Sequence, residues 1–415
     1  MFFYSKKILI VIIVIIFLLL ILAYIVNINS IPDSIILFNG SELMLDTVAG
    51  IKIKQINKDN EQQTLETSTN IEKSFRNKVS KEKKYNLSLL GINLKTVTVD
   101  EIENRKVIPL GNIIGLKLYT KGVLVVGTNE IEGEDKKIYK PYEEAGIEQG
   151  DSIIKINNEE IDSTKKLIEC ISKSKNKKIN VTYLKNGKEI INTITPIRTG
   201  NNTYKLGLWV RDGSAGIGTL TFYDLKTKSI VSLGHGIQDV DTGEMVNISY
   251  GEFVTSKIKN IQKGKKNLPG KIEGSIENST TIGNIYENTG FGVYGYLKKI
   301  DELELDKSDK VDIALRDEIK EGSAKIRCML DNGMVNEYSV NIQKIFKNNN
   351  KNNKSMILKI TDKKLLEKTG GIIQGMSGSP IIQNGKLVGA LTHVLVSDPT
   401  CGYGVFADLM VKELK

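Results

Sequence analysis

At 415 residues, 40% of them apolar and only 6% aromatic, the chain is too long for one ordinary domain and has apolar side chains enough for two or three folded units. Its net charge of +9 comes from lysines scattered through asparagine-rich stretches, without a basic stripe or zinc-finger spacing, so nucleic acid is not an expected partner. Cys170, Cys328 and Cys401 are odd in number and lack CxxC spacing, which argues for free thiols and leaves no metal or cofactor to be expected.

Lys6 and Lys7 precede "ILIVIIVIIFLLLILAYIV", residues 8–26, an unbroken apolar run. At about 1.5 Å per residue it spans about 28 Å, close to the thickness of a bilayer's hydrocarbon layer. A cleaved signal peptide has a shorter apolar core and a small-x-small site, and "YIVNINS" lacks that pattern. Residues 1–29 are therefore expected to be a signal anchor. The lysines keep the N-terminus cytoplasmic, and the chain from about Asn27 onward lies across the membrane.

Residues 30–105 read as a small β segment. "IPDSIILFNGSELML" predicts a short hairpin across Asn39-Gly40, and "LSLLGINLKTVTV", residues 87–99, alternates as a strand does. Between them, residues 57–85 are almost wholly polar and predict an exposed linker.

Residues 106–198 open with "VIPLGNIIGLKLYTKGVLVVG", a set of strands punctuated by glycines. They continue with "YEEAGIEQGDSIIKINNEEI", residues 142–161, and a short helix around 163–174. The A-G-x-x-x-G-D-x-I-x-x-I-N pattern resembles a PDZ domain. Such domains capture a peptide by strand addition, with its terminal carboxylate held on loop N–H groups. The resemblance implies that Gly111, Ile114, Gly115 and Leu116 form that loop.

Residues 199–415 are strand-rich. "GLWVRDGSAGIGTLTFYD", residues 207–224, predicts two strands around a turn, and without a Walker lysine or a following helix it is no phosphate loop. "KIFKNNNKNNKS", residues 344–355, is a low-complexity surface insertion.

The chemistry is concentrated in "GGIIQGMSGSPIIQNGKLVGALTHV", residues 370–394. Gly375-Met376-Ser377-Gly378-Ser379-Pro380 resembles the G-D-S-G-G-P nucleophile loop of chymotrypsin-like peptidases. Attack on a carbonyl needs an exposed Oγ and two N–H groups for the developing oxyanion, and small neighbours give that access. Gly375 and Ser377 stand in the matching oxyanion positions. A hairpin across Asn384-Gly385 then returns a strand whose Thr392 and His393 would line the substrate pocket. Met376 replaces the aspartate that digestive proteases pair with a new N-terminus, so that activation does not apply.

The chain has two histidines. His235, in "VSLGHGIQDVDTG", is flanked by glycines and lies far enough before Ser377 for the base to sit in one half of a double barrel and the nucleophile in the other. It is the expected base. Among carboxylates, Asp239, Asp241, Asp306, Asp309, Asp312 and Asp362 all have reasonable positions, and spacing does not choose between them.

The anchor, the PDZ pattern, "LGHGIQD", "TDKKLLEKTGGIIQGMSGSPIIQNGKLVGALTHV" and "DPTCGYGVFADLM" together resemble the stage IV sporulation protein B peptidase family. That resemblance implies a catalytic triad of His235, Asp362 and Ser377. It implies a mainly β protein: N-terminal transmembrane helix, PDZ domain and chymotrypsin-like double β-barrel. It implies a serine endopeptidase of sporulation at the forespore inner membrane, with its folded domains in the intermembrane space. Its partners would be protein substrates in or at the membrane and its own N-terminal region. It would cleave itself, then cut a membrane-bound regulatory complex to signal late mother-cell gene expression.

Two other readings compete. A membrane-anchored quality-control protease places its peptidase before its PDZ domain, the reverse of the order here. A non-cleaving PDZ scaffold would not need Ser377, His235 and Gly375 intact.

Overall fold

The computed structural model describes residues 2–41, 43, 51–56, 64–65, 83–89, 91–298, 303, 305–306, 308–331, 333–347 and 353–414. Most of the expected linker, 57–63 and 66–82, lies outside them. Helix α1, Phe2–Ser30, is apolar on all sides, and its described side chains, from Val11 on, are mostly exposed. Among the described residues it holds the one stretch, Val11–Ser30, long and apolar enough to cross a membrane.

The return half of the hairpin expected after strand β1 (Ser34–Phe38), residues 42 and 44–50, lies outside the described residues. Gly40 turns the chain with φ +80°, and β1 pairs in parallel with a later strand. That small sheet also holds β2 (Ile51–Ile56), β3 (Lys83–Leu89) and β4 (Ile92–Ile102), with β1 on β4 and β3 between β4 and β2. Alternate residues Leu87, Val97 and Val99 fill its buried face.

Strand β5 (Ile113–Thr128) belongs to two units at once. Its first half is in a barrel, and its second half, from Val123, starts the PDZ domain. Inside that domain follow α2 (Pro141–Ala145), β6 (Ser152–Ile156), α3 (Thr164–Ser174), β7 (Ile179–Lys185) and β8 (Lys188–Ile194). Ser163 caps α3 by accepting the Lys166 N–H, and Leu167, Cys170 and Ile171 turn one helical face into the core. The chain leaves through β9 (Leu208–Asp224). Its residues 208–211 pair with the PDZ half of β5, and its residues 213–219 with the barrel half. The PDZ domain is therefore inserted between the first two strands of a barrel rather than placed before it.

This corrects two expectations. Residues 207–224 are not two strands around a turn; the "RDG" stretch is a register shift inside one strand. Residues 113–120 are barrel, and the PDZ core extends to Leu206, Leu208 and Val210.

The first barrel is completed by β10 (Ser229–Ser232), β11 (Ile248–Thr255), β12 (Thr281–Thr289) and β13 (Gly292–Leu297). Its ring runs β5-β11-β12-β13-β10-β9 and back to β5. The second contains β14 (Gly322–Asp331), β15 (Met334–Ile345), β16 (Met356–Ile360), β17 (Pro380–Gln383), β18 (Lys386–Val394) and β19 (Cys401–Phe406). It closes as β14-β15-β16-β19-β18-β17. Numbered within each barrel, both rings have the order 1-2-3-6-5-4. Leu116, Leu118, Phe253 and Val293 fill the first, and Ile326, Ile342, Leu358 and Val405 the second. Helix α4 (Lys363–Thr369) sits between β16 and β17, and α5 (Ala407–Lys412) ends the chain.

Candidate active site

Each barrel contributes its loop between third and fourth strands to one cleft of about 930 Å³. From the first comes His235, just after β10; from the second comes Ser377, just before β17. His393 and Thr392, on β18, line the same cleft.

His235 is half-buried, and its Nδ1 lies 2.9 Å from the Gly236 carbonyl. A carbonyl only accepts, so Nδ1 carries the proton and Nε2 is left as the basic nitrogen. Burial pushes the pKa of His235 below its ordinary value, against the pull of the Gly236 hydrogen bond. Near neutral pH the imidazole is therefore uncharged, as a general base must be.

Around Ser377 the chain turns sharply. Gly378 has φ +99°, and a Cβ there would lie 2.0 Å from the Thr219 carbonyl oxygen. Gly375 has φ +97°, also unfavourable for any other residue. Among the described residues no hydrogen bond occupies the N–H of Gly375 or of Ser377. Ser377 Oγ donates to the Thr392 carbonyl at 2.6 Å, so it does not yet face His235.

Thr219, on β9 and buried, holds this loop from the opposite barrel. Its N–H donates to the Ser377 carbonyl at 2.9 Å, and its Oγ1 to the Gly375 carbonyl at 2.7 Å. Its own carbonyl accepts the Leu233 N–H, next to the histidine loop, at 3.2 Å. Nothing in the sequence singles out this threonine, because its role exists only where the barrels meet.

The rings of His235 and His393 are 4.8 Å apart, inclined by 34°. Burial, then the neighbouring His235 and Lys354, lower the pKa of His393 to about 4. Its Nδ1 is buried with no partner among the described residues.

Asp362 is not brought to His235. It is the N-cap of α4, where its Oδ1 accepts the Leu365 N–H at 3.0 Å and its Oδ2 the Ser339 N–H at 3.4 Å. No hydrogen bond or ion pair joins the two among the described residues. The other candidates are engaged elsewhere. Asp306 accepts from Ser308, Asp309 pairs with Arg327, Asp312 with Lys106, and Asp239 and Asp241 both with Arg211. Ser377 and His235 thus share the cleft without Asp362, and the Gly236 carbonyl is the hydrogen-bond partner of His235 Nδ1.

The peptide loop expected at Gly111, Ile114, Gly115 and Leu116 is also displaced. Ile114, Gly115 and Leu116 are barrel residues paired on one edge with β9 and on the other with β11, which leaves no edge for an added strand. Gly111 lies just before that strand, packed against Arg327 and Val335 of the second barrel. Within the PDZ sheet residues 208–211 of β9 form one edge, with no strand partner besides β5 among the described residues, and β8 forms the other. They lie beside α3 and follow Gly207, in "LGLWV". A second glycine-containing apolar stretch at 110–116 concealed this one in the sequence.

All three cysteines are buried and free. Residues 202–411 match the family described as SpoIVB peptidase S55, and residues 117–195 match the PDZ domain family. Among solved structures, the PDZ domain of an SdrC-like protein from Listeria monocytogenes is similar at 18% identity over 22% of this chain and 87% of its own, with a TM-score of 0.18. No curated protein matches the chain.

Proposed function

The chain belongs to the SpoIVB peptidase S55 family, whose members are serine peptidases, and from this we propose an endopeptidase in which Ser377 is the nucleophile and His235 its general base. The observation that carries the reading is the meeting of Ser377 and His235 from two equivalent barrel loops in one cleft, beside two unengaged N–H groups. Ser377 Oγ turns from the Thr392 carbonyl toward Nε2 of His235, gives up its proton there and attacks the scissile carbonyl carbon. The oxyanion so formed accepts from the N–H groups of Gly375 and Ser377. His235 then passes the proton to the leaving amine, and water, activated by the same nitrogen, releases the acyl group.

Helix α1 anchors the enzyme, with the barrels and PDZ domain beyond the membrane. Peptides add to the open PDZ edge at residues 208–211. The family resemblance supports a role in sporulation: export across the forespore inner membrane, self-cleavage in the N-terminal region, then cutting of a membrane-bound regulatory complex. The test uses the full chain in detergent with a serine-directed phosphonate. Covalent labelling that disappears in Ser377→Ala and in His235→Ala supports the reading. An unlabelled wild-type protein would favour the non-cleaving scaffold. Self-cleavage is read in membranes, where a new N-terminus within residues 40–85 should appear only when Ser377 is present.

A further inference from the structure

We propose that Arg211, on the PDZ domain's open edge, is a positioning residue for His235, so that the inserted domain is part of the support of the catalytic base. The inference rests on His235 being that base.

Strand β9 supplies the physical continuity. It forms the PDZ edge at 208–211, lines the cleft at 214–217 and reaches the Ser377 loop at Thr219. Leu208 and Val210 pack into the PDZ core, and Asp212 accepts the Thr164 N–H at the start of α3, at 2.6 Å. Arg211 is directed at the peptidase instead. Its guanidinium forks onto Asp239 at 2.6 Å and Asp241 at 2.5 Å, on the loop that follows His235.

Asp239 organises that loop. Its carboxylate is buried and accepts the N–H groups of Asp241 and Thr242 at 3.0 and 3.1 Å. Its backbone N–H donates to Glu244 and its carbonyl accepts from Gly243. A second PDZ residue, Gln149, donates to the Asp241 carbonyl at 2.8 Å. At the loop's base, Asn288 accepts the Ile237 N–H and donates to the carbonyls of Ile237 and Val246. Residues 237–246 are therefore held at the base by Asn288 and at the tip by the PDZ domain. Gly236, whose carbonyl orients His235, is the residue immediately before this held segment. Among the described residues the hydrogen bond that holds the His235 ring comes from the backbone of this loop. Without Arg211 two neighbouring carboxylates, one of them buried, lose their shared cation, and the loop has reason to move.

The test measures phosphonate labelling of Ser377 in the full chain, separating maximal rate from apparent affinity. Arg211→Ala should lower the maximal rate by roughly 10- to 100-fold, the cost of a misplaced catalytic group, and leave apparent affinity within about twofold. Arg211→Lys, which keeps one charged donor, should recover part of the rate. Combining Arg211→Ala with Asp239→Ala should cost much less than the product of the two single effects. Arg198→Ala, which breaks an exposed ion pair with Glu134 and a hydrogen bond to Asn202, neither of them on the loop after His235, should label like the wild type. Wild-type rates in Arg211→Ala, a change confined to affinity, or simple additivity would each overturn the proposal. Should Arg211→Ala fail to fold, Arg211→Lys decides alone: a maximal rate equal to wild type refutes the role. Failure of the wild type to label would remove the catalytic reading itself and this inference with it.

Discussion

The hydroxyl of Ser377 donates to the Thr392 carbonyl, 2.6 Å away, and not to His235. Ser377 and His235 share a cleft without a hydrogen bond between them. In the proposed reaction the two act together, because His235 takes the proton that Ser377 loses. Ser377→Ala and His235→Ala should each abolish cleavage of a protein substrate, and the double variant should be no worse than either alone. Substantial turnover by His235→Ala, measured as product formed over hours, would mean that another group is the base.

The acid side of the activity profile should belong to His235 alone. Its pKa is held below the ordinary value by burial, and His393 stays neutral down to about pH 4. In the proposed mechanism the neutral imidazole is the active form. kcat/KM should therefore rise with pH through an apparent pKa below about 6.5 and be level at neutrality. His393→Gln should leave that limb in place. A limb centred above pH 7 would contradict the assignment.

The same two histidines make the fold sensitive to acid. A histidine whose folded pKa lies below its unfolded one contributes stability above about pH 6.5, and the contribution is lost as the pH falls toward the folded pKa. For His393 that window is about pH 6.5 to about 4. Thermal unfolding temperatures should decline across it, and His393→Phe, which has nothing to protonate, should flatten the decline. Parallel curves for the two proteins would count against a buried, neutral His393.

Asp362 offers a direct contrast between two roles. As the N-cap of α4 it can be replaced by asparagine at little cost, whereas alanine should destabilise by about 1 kcal/mol. The geometry predicts that Asp362→Asn keeps most of its activity and that Asp362→Ala loses stability before it loses rate. Denaturant unfolding beside the labelling assay separates the two. A well-folded Asp362→Asn protein that labels slowly would restore the carboxylate to the catalytic group.

Local signals in the sequence were good guides where the chemistry is local. The apolar run of residues 8–26, the glycines around Ser377 and His235, and the PDZ pattern of residues 142–161 each depend on neighbours in the chain. The insertion was concealed because residues 107–116 carry the same glycine-punctuated apolar pattern as a PDZ strand pair, while their partners, β9 and β11, are remote in sequence. "RDGSAG" has the composition of a turn and lies in a shifted strand. At Asp362 a capping signal was present, an aspartate directly before a helix. The family resemblance implies a catalytic role for the same carboxylate, which Asp362→Asn tests.

Thr219 shows most plainly what only the assembled barrels reveal, and it yields a last prediction. Its side chain reaches across to the Gly375 carbonyl at 2.7 Å, and its N–H to Ser377 at 2.9 Å. Thr219→Val keeps shape, β-branching and the backbone bond, and removes only the hydroxyl. The Gly375 carbonyl then loses its partner in a crowded site, at a cost of about 1–3 kcal/mol. Relieving that cost means turning the peptide that joins Gly375 to Met376, between the two N–H groups proposed to bind the oxyanion. Thr219→Ser, which keeps the hydroxyl, should stay close to the wild type in stability and rate. Thr219→Val should fold, lose stability by that amount and lose much more in kcat than in KM, because the oxyanion forms only in the transition state. Equal kcat in all three proteins would show that the Gly375 turn holds its shape without help from the other barrel.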